Sequence, residues 1–289
     1  MRERIVIDAG PAVLVQGRPA QGARHEVVFG TLEEGGERVV IKLERIGGAL
    51  ERERTALAEI GAIGGPVPRV VAAGTAAVDG ERLACLVTER RGGETPTTVA
   101  GWWRMGRAFA RLNVPAATGS GLPVLDHEAF GRGHARRVEE LGDRIEPLAV
   151  AVPDWARLVS PEVPEPGPLV LTHGDPGPGN FLDDGGDGAV IDWEDALVAP
   201  RGLDLARLAF IALLGGGPSG FEGRDHRARA DAVVDGYLDA LDGSGSPGAS
   251  ASRWWTTVAG IQFVHRRWQM GGPGRWQDAA DVLRAALSA

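Results

Sequence analysis

Cysteine is all but absent: Cys85 is the single one in 289 residues. One thiol excludes an intrachain disulfide and a cysteine-based zinc site. Its position in the apolar run Leu83 to Val87 suits a small buried hydrophobe. No apolar run reaches the length of a membrane span, and Met1 to Arg4 carries no apolar signal region. A cytoplasmic chain with no membrane partner is the expectation. Excess positive charge is also lacking. The formal net charge is −8, which argues against a nucleic-acid partner held by phosphate neutralisation and leans toward a cationic small molecule. The 6 histidines are scattered, at positions 25, 127, 134, 173, 226 and 265. No G-x-G-x-x-G phosphate loop is present; the stretch 16 to 26, with Gly17 and Gly22, is a weak substitute.

Lysine is the most informative scarcity. Of 31 basic residues only Lys42 is a lysine. Lysine and arginine are not interchangeable where a compact point charge is needed, and a phosphate clamp is one such place. Lys42 lies in the strand-like run Val39-Val40-Ile41-Lys42-Leu43. A lone surface lysine on a strand is the plain alternative, and the stretch described next favours the phosphate role.

What is present gathers in residues 170 to 196. An apolar run from Leu169 to Leu171 reads as a buried strand. His173, Asp175, Asn180 and Asp192 follow at the ends of short apolar segments. Phe181-Leu182 and Ala189-Val190-Ile191 read as the arms of a hairpin turned by Asp183 to Gly188. Such a hairpin brings Asn180 beside Asp192, with Asp175 just upstream. Two oxygen ligands beside a free carboxylate suit a hard cation such as Mg²⁺ that keeps waters and a substrate phosphate. The spacing is also that of a kinase catalytic loop and its metal aspartate. Asp183 to Glu194 imitates a calcium-binding loop, but Gly185 stands at its third ligand position and the flanks read as strands.

The rest of the chain reads as two units with a linker. Residues 1–88 are strand-rich, with apolar runs at 5–7, 13–15, 27–29, 39–41 and 83–88, and Gly35-Gly36 as a hairpin turn. Ala49 to Ile60 has a helical pattern, stopped by Gly61. Glu53 on it can turn inward to Lys42, with Glu51 as rival. Residues 89–93 read as a linker. Residues 94–289 are helical, with expected helices at 99–113 (capped by Thr97 or Thr98), 134–145, 205–214 (capped by Asp204), 225–241, 252–270 and 275–287. Trp254, Trp255, His265 and Trp268 could wall an acceptor pocket, although tryptophans at helical spacing are more often core.

The segment His173 to Asn180, followed by Val190-Ile191-Asp192-Trp193-Glu194 and Asp204-Leu205-Ala206, resembles the aminoglycoside phosphotransferase and choline kinase-like small-molecule kinases, with their H-G-D-x-x-x-x-N, I-D-W/F-E/D and D-L-A motifs. Val40-Ile41-Lys42, Arg52-Glu53 and Val67-Pro68 are similar to that family's N-terminal unit. Gly177 and Asn113 stand where many relatives have histidine. The resemblance implies an α+β, two-lobed, protein-kinase-like fold: a small antiparallel-sheet N-lobe with one helix and a larger, mainly helical C-lobe. It implies ATP in the cleft, its adenine against Thr88, Glu89 and Arg90. Asp175 then looks like the catalytic base, Asn180 and Asp192 like Mg²⁺ ligands, Lys42 and Glu53 like the phosphate lysine and its partner, and His173 and Asp204 like supports of the catalytic loop.

The implied acceptor is a hydroxyl of an aminoglycoside-like antibiotic or amino sugar, which would make the enzyme an antibiotic-resistance factor. A choline-like alcohol or another sugar is the alternative. Glu194 and Asp195 are the candidates to meet an amino group of that acceptor, against a solvated turn as the plain reading. Other classes are a catalytically weak nucleotide-binding module and a metal-dependent hydrolase using His173, Asp175 and Asp192. The hydrolase has no need of Lys42 or Glu53.

Overall fold

The computed structural model describes residues 3–8, 10–19, 25–45, 48–116, 119–162, 168–215, 226–241, 249–270 and 275–288. Gly22 lies outside them, as do 216–225 and 242–248.

The first part is an antiparallel sheet. Its strands are β1 (Arg4–Val6), β2 (Ala12–Gly17), β3 (Glu26–Leu32), β4 (Arg38–Glu44), β5 (Val70–Val78) and β6 (Glu81–Glu89), in the spatial order β1-β2-β3-β4-β6-β5. Gly35 and Gly36 turn β3 into β4 with φ of 81° and 67°, as a tight hairpin needs. Strand alternation sorts the faces. In β4, Val39, Ile41 and Leu43 are buried with Val13 and Val28 in the sheet's own core. Val40 and Lys42 point the other way and, with Val27 and Phe29 of β3, form one wall of a cavity.

Helix α1 (Ala49–Ala62) crosses between β4 and β5. Its buried residues are Leu50, Glu53, Ala56, Leu57 and Ile60, one stripe at helical spacing. A carboxylate therefore occupies a position on the apolar face. The helix passes through Gly61, where a stop was expected, and ends one residue later; Gly64, with φ of 71°, takes the left-handed conformation past its end. Glu89 is the last residue of β6 rather than the first of a linker.

The second part is mainly helical. Helix α2 (Val99–Leu112) is capped by the Thr98 hydroxyl, which accepts from the Gly101 N–H at 3.0 Å. Helix α3 (His127–Leu141) starts seven residues before the expected His134, because Asp126 accepts from the Ala129 N–H and opens the helix there. A 3₁₀ turn and the short helices α4 (Glu146–Ala151) and α5 (Trp155–Leu158) follow. Strand β7 (Leu169–Thr172) leads into the 173–180 loop, and β8 (Phe181–Leu182) and β9 (Ala189–Val190) form the expected hairpin. Strand β10 (Leu197–Pro200) was not expected; it pairs antiparallel with β7, Leu197 opposite Thr172. Then come α6 (Gly202–Leu213), α7 (His226–Asp239), α8 (Ala249–Gln269) and α9 (Arg275–Ser288). Asp204 does not cap α6; it is the third residue of that helix, with its side chain turned elsewhere.

Helices α2 and α7 touch through glycines: a Cβ on Gly106 would lie 2.0 Å from the Val233 carbonyl oxygen, and one on Gly236 2.0 Å from that of Trp103. Trp254 and Trp255 are 1% and 2% exposed and sit in the core between α3, α6, α8 and α9. They are core and do not line the cavity. No described helix is long and apolar enough to cross a membrane.

Candidate active site

Between the sheet and the helices lies a cavity of about 1080 Å³. Lys42, Glu53, Asp175, Asn180 and Asp192 all line it, as do Thr88, Glu89, Arg90, Glu194 and Asp195. Residues 150 positions apart in the chain thus meet: the Lys42 ammonium donates to Asp192 Oδ1 at 2.5 Å. It also donates to Glu53 Oε1 at 2.8 Å and Oε2 at 2.7 Å. An ammonium has only donors, so both Glu53 oxygens are acceptors and the carboxylate is ionised. The rival, Glu51, is exposed and pairs with Arg54.

These contacts set the charges. Burial works against the Lys42 ammonium, but Glu53 and Asp192 outweigh it and raise its pKa. Burial raises the Glu53 pKa overall, with Asp192 adding to it, against the pull of Lys42 and the Trp193 backbone N–H. Burial also opposes the Asp192 charge, yet Lys42, His173 and His25 lower its pKa overall. Asp192 has φ of 69°, in the left-handed region that non-glycine residues seldom occupy. Strain of this kind clusters at functional sites.

The loop carrying Asp175 is held from behind. Asp204, fully buried, accepts from the His173 N–H at 2.7 Å and the Gly174 N–H at 3.2 Å. Gly174 has φ of 82°, and a Cβ there would lie 2.0 Å from the Asp195 carbonyl oxygen, so only glycine fits. The buried His173 ring accepts from the Asp175 N–H at Nδ1, 3.3 Å, and donates from Nε2 to the Ile191 carbonyl, 2.9 Å. One ring therefore couples the backbones of Asp175 and of the residue before Asp192. His173 and Asp204 do not line the cavity. Asn113 is part of the same support: its amide donates to the Leu171 carbonyl at 2.8 Å and to Asp204 at 3.4 Å, and it accepts from the Tyr237 hydroxyl.

Asn180 donates to the Asp175 carbonyl at 2.9 Å, which leaves its own amide oxygen as a donor to a cation. With Asp192 that makes two hard oxygen ligands. Among the described residues no group of three or more His, Cys, Asp or Glu could hold a metal, so an all-protein cage is not built. Few protein ligands with room for water and phosphate oxygens is the pattern Mg²⁺ accepts, and these residues fit it. The calcium-loop imitation dissolves: Asp183 forms a two-pronged pair with Arg104, both contacts 2.8 Å, and Asp184 accepts from the Gly186 and Gly188 N–H groups of its own turn.

The expected adenine strip is a slot. The Arg90 guanidinium lies 4.1 Å from the Phe29 ring centre, and the Arg90 N–H donates to the Arg38 carbonyl at 2.9 Å. Glu89 is tied to Arg91 at 3.0 Å. Val27, Val40, Leu182 and Ile191 add apolar walls suited to a planar base. Glu194 lines the cavity with its carboxylate in contact with His25, and its carbonyl accepts from Arg52 at 3.1 Å.

Sequence reasoning missed the far end of the cavity. Arg136 and Arg137 of α3, Arg207 of α6 and Gln262, His265 and Arg266 of α8 line it. Nothing local marks them in a chain that uses arginine throughout. His265 alone was anticipated.

Comparison with known proteins is consistent with this geometry. A family model described as the phosphotransferase enzyme family matches residues 16–244. Among solved structures, a thermostable mutant of the aminoglycoside phosphotransferase APH(4)-Ia, in a ternary complex with AMP-PNP and hygromycin B, has a TM-score of 0.62 at 17% identity, covering 95% of this chain and 94% of that one. The amicoumacin kinase hAmiN, in complex with AMP-PNP, Ca²⁺ and Ami, has a TM-score of 0.63 at 12% identity, covering 96% and 87%. An aminoglycoside phosphotransferase from Alicyclobacillus acidocaldarius has a TM-score of 0.59 at 16% identity, covering 98% and 92%. At these identities the likeness is one of fold. A comparison with curated protein sequences found no match.

Proposed function

We propose, from the premise that this chain belongs to the phosphotransferase enzyme family, that it transfers the γ-phosphoryl group of ATP to a hydroxyl of a small molecule with Mg²⁺ as the working cation. That it is a small-molecule phosphotransferase follows from the family; the nucleotide, the metal and the residue roles are our reading. The observation that carries it is the Lys42–Glu53–Asp192 cluster at one cavity wall with Asp175 and Asn180 on the same cavity.

In this reading Thr88, Glu89 and Arg90 border the adenine and Lys42 meets the phosphates. Glu53 holds the ammonium in position. Asn180 and Asp192 would hold Mg²⁺, which neutralises charge on the transferring group. Asp175 orients the acceptor hydroxyl and takes its proton as that oxygen bonds to the γ-phosphorus and the bond to the β-phosphate oxygen breaks, releasing ADP. His173 and Asp204 fix the height of the Asp175 loop. Residues 1–88 and 94–289 act as two lobes about the 89–93 hinge. Phosphoryl transfer needs positioning and charge neutralisation more than covalent help, and this set supplies both.

Two acceptor classes compete. An aminoglycoside-like antibiotic or amino sugar is supported by the hygromycin B bound to a structural neighbour. A hydroxyl compound without amines is supported by the engagement of Glu194 with His25 and by the arginines at the far end.

The test is ADP release by the native chain and by Asp175→Ala, with and without Mg²⁺. Turnover that depends on Mg²⁺ and falls about 10²–10⁴-fold in the variant is expected. Persistent turnover in Asp175→Ala removes the base assignment, and metal-dependent ester hydrolysis without nucleotide overturns the reading altogether.

A further inference from the structure

Three of the arginines at the helical end of the cavity, Arg137, Arg207 and Arg266, differ from most others in the chain. Most surface arginines here are neutralised locally, as Arg54 by Glu51 and Arg104 by Asp183. Arg137, Arg207 and Arg266 have no carboxylate within 4.0 Å among the described residues, although all three line the cavity. Arg207 is the most deeply set. Its guanidinium donates to the Gln262 side-chain oxygen at 3.0 Å, a neutral partner. Burial lowers its pKa, Arg137 adds repulsion, and Asp204, Asp175 and Asp195 pull the other way. Arg137 is lowered too, by burial and by the neighbouring Arg136, against Glu140. Two guanidiniums are thus held near each other at the edge of the Asp175 loop without an ion-pair partner.

Burying unpaired cations is costly. An arrangement of this kind is complementary to an anion, and arginine's planar fork binds carboxylate and phosphate through paired hydrogen bonds. The carboxylates nearby do not form ion pairs with them: Asp204 accepts from the His173 and Gly174 N–H groups, Asp175 and Asp195 act on Arg207 only from beyond 4.0 Å, and Glu194 is in contact with His25. Glu140 is occupied by His265 at 2.5 Å and Arg136 at 3.4 Å. A polycationic acceptor would meet Arg137, Arg207 and Arg266 head-on, and like charges brought together in a part-buried site oppose binding.

Resting on the phosphotransferase reading above, we propose that the acceptor is an anionic hydroxyl compound, a hydroxy-carboxylate or a hydroxyl-bearing phosphomonoester, whose anionic group is clamped by Arg137, Arg207 and Arg266 while its hydroxyl faces Asp175. The product then carries the original anion and a new phosphate ester, and the second output is ADP.

The test compares compounds of matched skeleton and different charge. Gluconate, glucose 6-phosphate, glucose and glucosamine form one set; glycerate, glycerol 3-phosphate, glycerol and 2-amino-1,3-propanediol form another. ADP release is measured for the full chain with Mg²⁺ATP. At least one acid should raise the rate tenfold or more over the acceptor-free rate, with its neutral and amino counterparts inactive, and the carboxylate and phosphate arms decide which anion is read. Arg207→Gln should raise the KM for that acid roughly tenfold to a hundredfold, the loss of one or two charge-assisted hydrogen bonds, while the KM for ATP changes less than twofold. Arg266→Glu, at an exposed position, gives the same direction without a folding risk. Stimulation by the amines alone, by the neutral compounds alone, or by no acid overturns the anionic acceptor. If acceptor-free ATP hydrolysis persists and is lost in Lys42→Ala, the phosphotransferase reading survives that failure; if the native chain turns over no ATP at all, both fall.

Discussion

At one end of the cavity a single ammonium is enclosed by two carboxylates; at the other, Arg137, Arg207 and Arg266 have no carboxylate within 4.0 Å among the described residues, and only Arg136 beside them is paired, with Glu140. Lys42 is matched by Glu53 and Asp192, whereas Arg207 is matched by Gln262. The first end is electrostatically complete within the chain, so it can be built before any ligand arrives. The second is complete only when something negative joins it. A constant partner, a nucleotide's phosphates, suits a prebuilt clamp; the partner that differs between enzymes of one fold is met by side chains on helices remote in sequence.

The largest effect expected from breaking this contrast is at Lys42. Lys42→Met leaves Glu53 buried without its partner, which costs about 3–5 kcal/mol of stability, and should lower ADP release about 10²–10³-fold. The double variant Lys42→Met/Glu53→Leu should recover much of the stability, by denaturant melting, and none of the activity. Recovery of activity would show that the clamp is only structural.

The second test separates the two ends by pH. His134, on α3 beside the cavity arginines, is 1% exposed, donates from Nε2 to the Leu158 carbonyl at 3.1 Å, and packs against Trp254 at 5.5 Å. Burial holds its pKa down at about 4, against an ordinary 6.5. The unfolded chain therefore binds this proton first as pH falls. Stability should drop between pH 6.5 and about 4, by up to about 3 kcal/mol at roughly 1.4 kcal/mol per pH unit. Asp192, with a lowered pKa, contributes stability above its ordinary value near 3.8 that is lost only below it, so its contribution holds through the window in which that of His134 is lost. Melting of His134→Gln across the same range should show a flatter slope; an unchanged slope assigns the pH effect elsewhere.

The smallest expected effect is at Asp204. Asp204→Asn removes the charge from the hydrogen bonds to the His173 and Gly174 N–H groups, a loss of about 1.5–3 kcal/mol. Because the Asp175 loop serves both ends, kcat should fall while the KM for ATP and for acceptor stay close to the native values. A change confined to one KM would place Asp204 on that end alone.

Much of the clamp end was legible. The lone lysine, the Asp175–Asn180 spacing and the hairpin that returns Asp192 are local patterns, and the Gly35-Gly36 turn and the α1 stripe fixed the strand and helix that carry Lys42 and Glu53. The misses have physical causes. The start of α3 was obscured by Gly131 and Gly133, which break the apolar rhythm; Gly131 is glycine because a Cβ would lie 1.8 Å from the Pro161 carbonyl oxygen, a contact formed only in the fold. Strand β10 has four residues and ends in Pro200, too little for a local strand signal, yet pairing with β7 makes it a strand. Asp204 looked like a cap because aspartate favours caps, but the 173–174 backbone offered it two N–H groups.

By itself the amino-acid sequence determined which residue types stand at each short-range spacing: a strand that exposes one lysine, a loop that spaces Asp175 from Asn180, and a hairpin that puts Asp192 at the same end. Local hydrogen bonding and side-chain periodicity act over a few residues, so those features survive without knowledge of the fold. Only the tertiary structure decided that Lys42 reaches Asp192, that Glu194 is held by His25, and that arginines from α3, α6 and α8 converge on one wall. Those meetings depend on how helices pack across long loops, and charge at a distance in sequence becomes chemistry only when packing brings it within a few ångströms.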